Sequence, residues 1–128
     1  MLVEDEDAVR GLAVKILDRL GYQLLVAGSG AEALAVAARH GGPIDLLLTD
    51  VVMPGMSGRD LATQLGALHP EMSVLYTSGY TEEVIAHHGV LDPGLRFLAK
   101  PYTPQLLASA VQAALPPPAR PDPIISGT

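Results

Sequence analysis

At 128 residues the chain is long enough for one domain with a real core, and 48% apolar residues without tryptophan mean that Leu, Val, Ile and Ala must build it. The absence of cysteine excludes disulfides and thiolate metal sites and fits a reducing cytoplasm. A net charge of −6, with only eight scattered Lys and Arg, argues against direct nucleic-acid binding and against contact with an anionic membrane.

"MLV" opens the chain as a short strand ending at Glu4-Asp5. Val9, Leu12, Ala13, Ile16, Leu17 and Leu20 then recur at helical spacing, and Gly21 stops the helix. "QLLVA" (23–27) reads as the second strand, and Ser29 with Glu32 forms a capping box opening a helix that runs through Arg39. "IDLLLTD" (44–50) is a buried strand that runs straight into Asp50. Ser57 and Asp60 cap a third helix carrying Leu61, Leu65 and Leu68, ended by Pro70. "SVLYTS" (73–78) is the fourth strand, a short helix begins at Thr81, and "LRFLA" (95–99) is the fifth strand. Thr103 as N-cap and Pro104 in the first turn open the last helix, whose apolar face is Leu106, Leu107, Ala110, Val111 and Ala114. Residues 116–128 hold five prolines within eight residues and read as a linker or tail, leaving 1–115 as the domain. No apolar run has the length of a membrane span, and the acidic residues from Glu4 onward speak against a signal peptide.

Five strands, each followed by a helix, predict an α/β fold: a doubly wound, five-stranded parallel sheet covered on both faces. Ligands of such sheets bind beyond the carboxyl ends of the strands, where the strand order reverses. In the order 2-1-3-4-5, strands one and three are neighbours, so Glu4, Asp5 and Asp50 converge. Two like charges about 5 Å apart repel by roughly 3 kcal/mol at an effective dielectric of about 20, so three carboxylates call for protons or a cation. A site of few oxygen ligands suits Mg²⁺, which keeps waters and leaves room for a phosphate. Ser78 and Lys100 reach the same rim, adding a hydroxyl and an ammonium that can clamp phosphoryl oxygens.

Over residues 1 to 115 the chain resembles the receiver domain of two-component response regulators. The motifs that carry the resemblance are "VEDED", "TDVVMPGMSG", "TSGY" and "FLAKPYTP". It implies the flavodoxin-like receiver fold and a phosphoacceptor module that takes a phosphoryl group from a phosphohistidine onto Asp50. It also implies that Asp5, Asp50 and the backbone carbonyl of Val52 ligate Mg²⁺, with Glu4 acting through a water. Ser78 becomes the switch hydroxyl, Phe97 the rotating aromatic and Lys100 the partner of the phosphoryl oxygens, with a cis Lys100-Pro101 bond. The implied partners are a histidine kinase or a histidine phosphotransfer protein, and a homodimer is compatible with the fold. The module would modify and slowly lose its own phosphate in the cytoplasm rather than turn over a substrate. The wording "LLLTDVVMPGMSG" and "GVLDPGLRFLAKPYTP" is most similar to receivers attached to hybrid sensor histidine kinases, and a first strand of three residues fits a chain cut from a longer one.

Other motifs compete less well. "GSGAEA" (28–33) matches a dinucleotide fingerprint, but it follows strand two and its Ser29 is used as a cap. His87-His88 point to different faces of a helix, and His40 and His69 are expected to be exposed, while Met53 and Met56 are expected to pack. An Asp-nucleophile phosphatase wants an acid/base two residues after the nucleophile, where this chain has Val52. A receiver-like scaffold without phosphorylation is opposed by Glu4, Asp5, Asp50, Ser78 and Lys100 together. The resemblance implies that Val52 and Tyr80 flank the path of an attacking water; Val52 offers it no hydrogen bond and Tyr80 crowds it, so dephosphorylation is expected to be slow. Lys100 lies away from the core leucines, so its removal is expected to leave stability nearly unchanged, or even to raise it by taking a charge out of a crowded site.

Overall fold

In the computed structural model, which describes residues 1–79 and 96–115, the apolar runs pair as one parallel sheet. The strands are β1 (Leu2–Val3), β2 (Val26–Ala27), β3 (Leu46–Asp50), β4 (Ser73–Ser78) and β5 (Arg96–Ala99), in the order β2-β1-β3-β4-β5. The helices are α1 (Asp7–Arg19), α2 (Gly30–His40), α3 (Gly58–Leu68) and α4 (Pro104–Ala114). Tyr80, the helix expected from Thr81, the His87-His88 pair, Leu95 and the segment 116–128 lie outside the described residues.

The alternation of β3 produces the layers. Leu46 and Leu48 face a cluster with Ala13 and Leu17 of α1 and Leu107, Val111 and Ala114 of α4. Leu47 faces the other way, onto Ala33 and Ala37 of α2 and Leu61 and Leu65 of α3. Both faces of the central strand are therefore dry, which is why its sequence shows an unbroken apolar run.

Three caps form where they were read: Ser29, Ser57 and Thr103 accept from the backbone N–H of Glu32, Asp60 and Leu106. Glu32 closes its box one residue early, accepting from the Gly28 N–H at 2.8 Å. Four expectations need correction. The helical faces were read too wide, for Leu12, Leu20, Leu68 and Leu106 are exposed, Leu68 by 73%. Neighbours on a helix lie about 100° apart, so only one of Leu12/Ala13 and of Leu106/Leu107 can face the sheet. Secondly, β2 pairs over Val26–Ala27 rather than 23–27, because β1 offers it only Leu2 and Val3 as partners. Ile44 and Asp45 likewise precede β3 instead of belonging to it. Lastly, His69 is half-buried at the end of α3, while His40 is exposed.

Met53 is buried among the α2 and α3 contacts and Met56 packs against them, both as expected. A cavity of about 530 Å³ lies against Met1, Leu24, Ile44 and Leu46, and Asp50 is not among the residues that line it.

Candidate functional site

The parallel register sets the rim. β3 runs beside β4 with Asp50 opposite Thr77, so Ser78 lies one residue beyond it, and Ser78 in turn pairs with Ala99. The Lys100 N–H donates to the Ser78 carbonyl at 2.9 Å, which ties the end of β5 to the end of β4. On the other side, β1 pairs with β3 through Leu2 and Val3, delivering Glu4 and Asp5 next to Asp50. The Lys100-Pro101 bond is cis.

Glu4, Asp5 and Asp50 each bring a carboxylate oxygen within 4.8 Å of the others. The Lys100 ammonium donates to Asp50 Oδ2 at 2.9 Å, to Glu4 Oε1 at 3.1 Å and to Glu6 Oε1 at 3.2 Å. Glu4 Oε2 accepts from the Glu6 backbone N–H at 3.1 Å, so both of its oxygens are engaged. Asp50 is only 3% exposed, yet its Oδ1 finds no hydrogen-bond partner among the described residues. A buried, unpartnered carboxylate oxygen is costly. Together with two neighbouring carboxylates it forms a set of hard oxygen donors suited to a divalent cation.

Burial pushes the Asp50 and Glu4 carboxyls above their ordinary range, and the Lys100 ammonium pulls both back in part. The Val52 backbone N–H also favours the Asp50 anion, without reaching ordinary hydrogen-bond geometry at Oδ1. For Lys100 itself, burial acts to lower the pKa, but its bonds to Asp50 and Glu4 outweigh this and hold it well above the usual lysine range. Lys100 is thus bonded to two buried carboxylates, contacts that its removal would leave uncompensated.

Ser78 is fully buried at the end of β4. Phe97, half-buried on β5, packs against Val51 and Tyr76 together with Val52. Four contributors were missed by sequence reasoning. Glu6 is the third acceptor of Lys100, and its spacing of two from Glu4 in "VEDED" was the available signal. The Arg10 guanidinium donates to the Glu4 carbonyl at 2.8 Å and pairs with Asp7, bracing the acidic turn. Tyr102 is half-buried close enough to Glu4 and Asp50 for their charges to add to burial in raising its phenol pKa. Gly58 carries no local sign of its role: a Cβ there would lie 2.1 Å from the Asp50 carbonyl oxygen.

The family model described as "Response regulator receiver domain" matches residues 1–112. The chain belongs to this family. Among solved structures, the receiver domain from the hybrid histidine kinase CckA superposes with a TM-score of 0.74 at 37% identity, covering 90% of this chain and 96% of that one. Sensor kinase CckA of Brucella abortus (strain 2308) is 41% identical over 115 residues, which are 90% of this chain but 12% of the kinase. Response regulator receiver protein CpdR of the same organism is 28% identical over 90% of this chain and 94% of its own length. Receiver domains are phosphoacceptor modules of two-component systems, they interact with histidine kinases or phosphotransfer proteins, and they bind Mg²⁺ at an acidic pocket. In this receiver the acidic cluster is Glu4, Asp5 and Asp50. No helix among the described residues is long and apolar enough to cross a membrane.

Proposed function

We propose that this receiver takes its phosphoryl group onto Asp50, from the phosphohistidine of a histidine kinase or a histidine phosphotransfer protein. The observation that carries this reading is the split environment of one buried carboxylate: Oδ2 is held by Lys100 while Oδ1 has no partner among the described residues. An Asp50 oxygen forms the bond to phosphorus while the phosphorus–nitrogen bond breaks, and the electron pair leaves with the imidazole. Lys100, already in place, opposes charge on the transferring oxygens.

Asp5, Asp50 and the Val52 carbonyl would hold Mg²⁺, which when bound supplies positive charge opposite the phosphoryl oxygens. Glu4 would contribute through a water, because both of its oxygens are already engaged within the protein. Ser78 is read as the switch hydroxyl and Phe97 as the aromatic that reports phosphorylation at the surface, supported by their positions at the end of β4 and on β5. Val52 offers an attacking water no hydrogen bond from its side chain, so the phosphorylated form decays slowly, and Val52→Asn is expected to shorten its lifetime. Residues 1–115 form the working unit, 116–128 a linker or tail, and the module acts in the cytoplasm, within a hybrid kinase relay.

Incubation with acetyl phosphate and Mg²⁺, read by intact mass, tests the assignment. One added phosphate is expected on the wild type and none on Asp50→Asn. Equal uptake by the variant would overturn Asp50 as the acceptor, and no uptake by either would leave a scaffold.

A further inference from the structure

The three hydrogens of the Lys100 ammonium all have acceptors: Asp50 Oδ2, Glu4 Oε1 and Glu6 Oε1. A phosphoryl oxygen arriving at Asp50 can be met by Lys100 only if one of those bonds is given up. The three acceptors differ in what they can do when released. Asp50 is the nucleophile and still carries its charge as the donor approaches. The Glu4 side chain is 3% exposed and pinned at its other oxygen by the Glu6 N–H, so its release would bury an uncompensated charge. The Glu6 side chain is 61% exposed, and water can replace the ammonium at little cost.

We infer that Glu6 is a positioning residue that holds Lys100 in the resting site and surrenders it to the phosphoryl group as Asp50 is phosphorylated. This rests on the reading of Asp50 as phosphoacceptor. The Glu6–Lys100 bond then stabilises the resting state and is absent from the transition state and from the phosphorylated form. Its removal speeds phosphorylation and leaves the decay of the product unchanged. With acetyl phosphate as donor, the Asp50 oxygen bonds to phosphorus while the phosphorus–oxygen bond to acetate breaks, and acetate departs with the electron pair.

The experiment measures phosphorylation by acetyl phosphate with Mg²⁺, and decay after donor removal, in the intact chain. For Glu6→Gln, phosphorylation is expected to accelerate about two- to fivefold, the range that an exposed ion pair supports, with decay unchanged. Glu6→Asp keeps the charge but loses the reach of one methylene, and is expected to accelerate similarly. In a Lys100→Ala background the effect of Glu6→Gln is expected to vanish. Acceleration that persists without Lys100, or Glu6→Asp behaving as wild type, would assign the effect to bulk repulsion of the donor and overturn the inference. Unchanged phosphorylation in Glu6→Gln would overturn it while leaving Asp50 as acceptor. A wild type that takes up no phosphate would remove both. If Lys100→Ala is itself too slow to phosphorylate, the comparison of Glu6→Asp with Glu6→Gln decides.

Discussion

Lys100 is where the chemistry of single residues is most exposed to test. It sits between two buried carboxylates and an exposed one, so its removal strands negative charge instead of relieving a crowd. Lys100→Ala is expected to destabilise the metal-free protein at neutral pH by on the order of 2 kcal/mol. Added Mg²⁺ should recover part of that loss by neutralising the same carboxylates, and urea unfolding with and without the metal measures both. A second expectation separates the two acids of the first turn. Asp5 makes no hydrogen bond or ion pair among the described residues, whereas Glu4 is committed at both oxygens. Asp5→Ala should therefore lose more Mg²⁺ affinity in a titration than Glu4→Ala. Equal losses would make Glu4 a direct ligand. The sequence places both acids correctly at a strand end, but the contact of Lys100 with Glu4 spans 96 residues and is invisible to any local pattern.

What a sequence shows of an element depends on whether its determinants are local. The caps at Ser29, Ser57 and Thr103 are three-residue hydrogen bonds, and all three are legible. β1 and β2 are set by pairing across the sheet, and their two-residue extents are not. The junction between β3 and α3 shows the same contrast within a few residues. The Gly58 N–H donates to the Val51 carbonyl at 2.8 Å, bringing the start of α3 against the backbone of the acceptor. A methyl there would meet the Asp50 carbonyl at 2.1 Å, and neither backbone can yield without moving the site. Gly58→Ala is expected to cost about 3 kcal/mol and to depress phosphorylation. Gly66, further along α3, meets nothing within 4 Å on gaining a Cβ. Gly66→Ala should instead stabilise by about 0.5–1 kcal/mol through reduced entropy of the unfolded chain. Opposite signs from the same substitution on one helix, read by chemical denaturation, would establish that close approach fixes the first glycine.

Across the whole molecule, titratable groups at the two ends of the sheet shift in opposite directions, and this predicts how stability follows pH. At the carboxyl ends burial raises Glu4 and Asp50, so the folded state holds their protons more tightly than the unfolded chain does. Their penalty is absent below the ordinary carboxylate range and grows as pH rises through their raised values. Mg²⁺ held by these carboxylates is expected to relieve it at neutral pH. At the amino end the Met1 ammonium donates to the Leu46 carbonyl at 2.6 Å, and burial lowers its pKa from 8.0 to about 6. A lowered amine has the opposite sign: no penalty above pH 8, and a full one once the amine is charged in the folded state below pH 6. In the chain with a free amino group at Met1, stability from this end should therefore rise by on the order of 2 kcal/mol between about pH 6 and 8. Acetylating that amine removes the charge and keeps a donor for Leu46. The acetylated chain should lose this slope while keeping its response to Mg²⁺. Urea unfolding of both forms at the two pH values checks it, and identical slopes would place the ammonium in water rather than against Leu46.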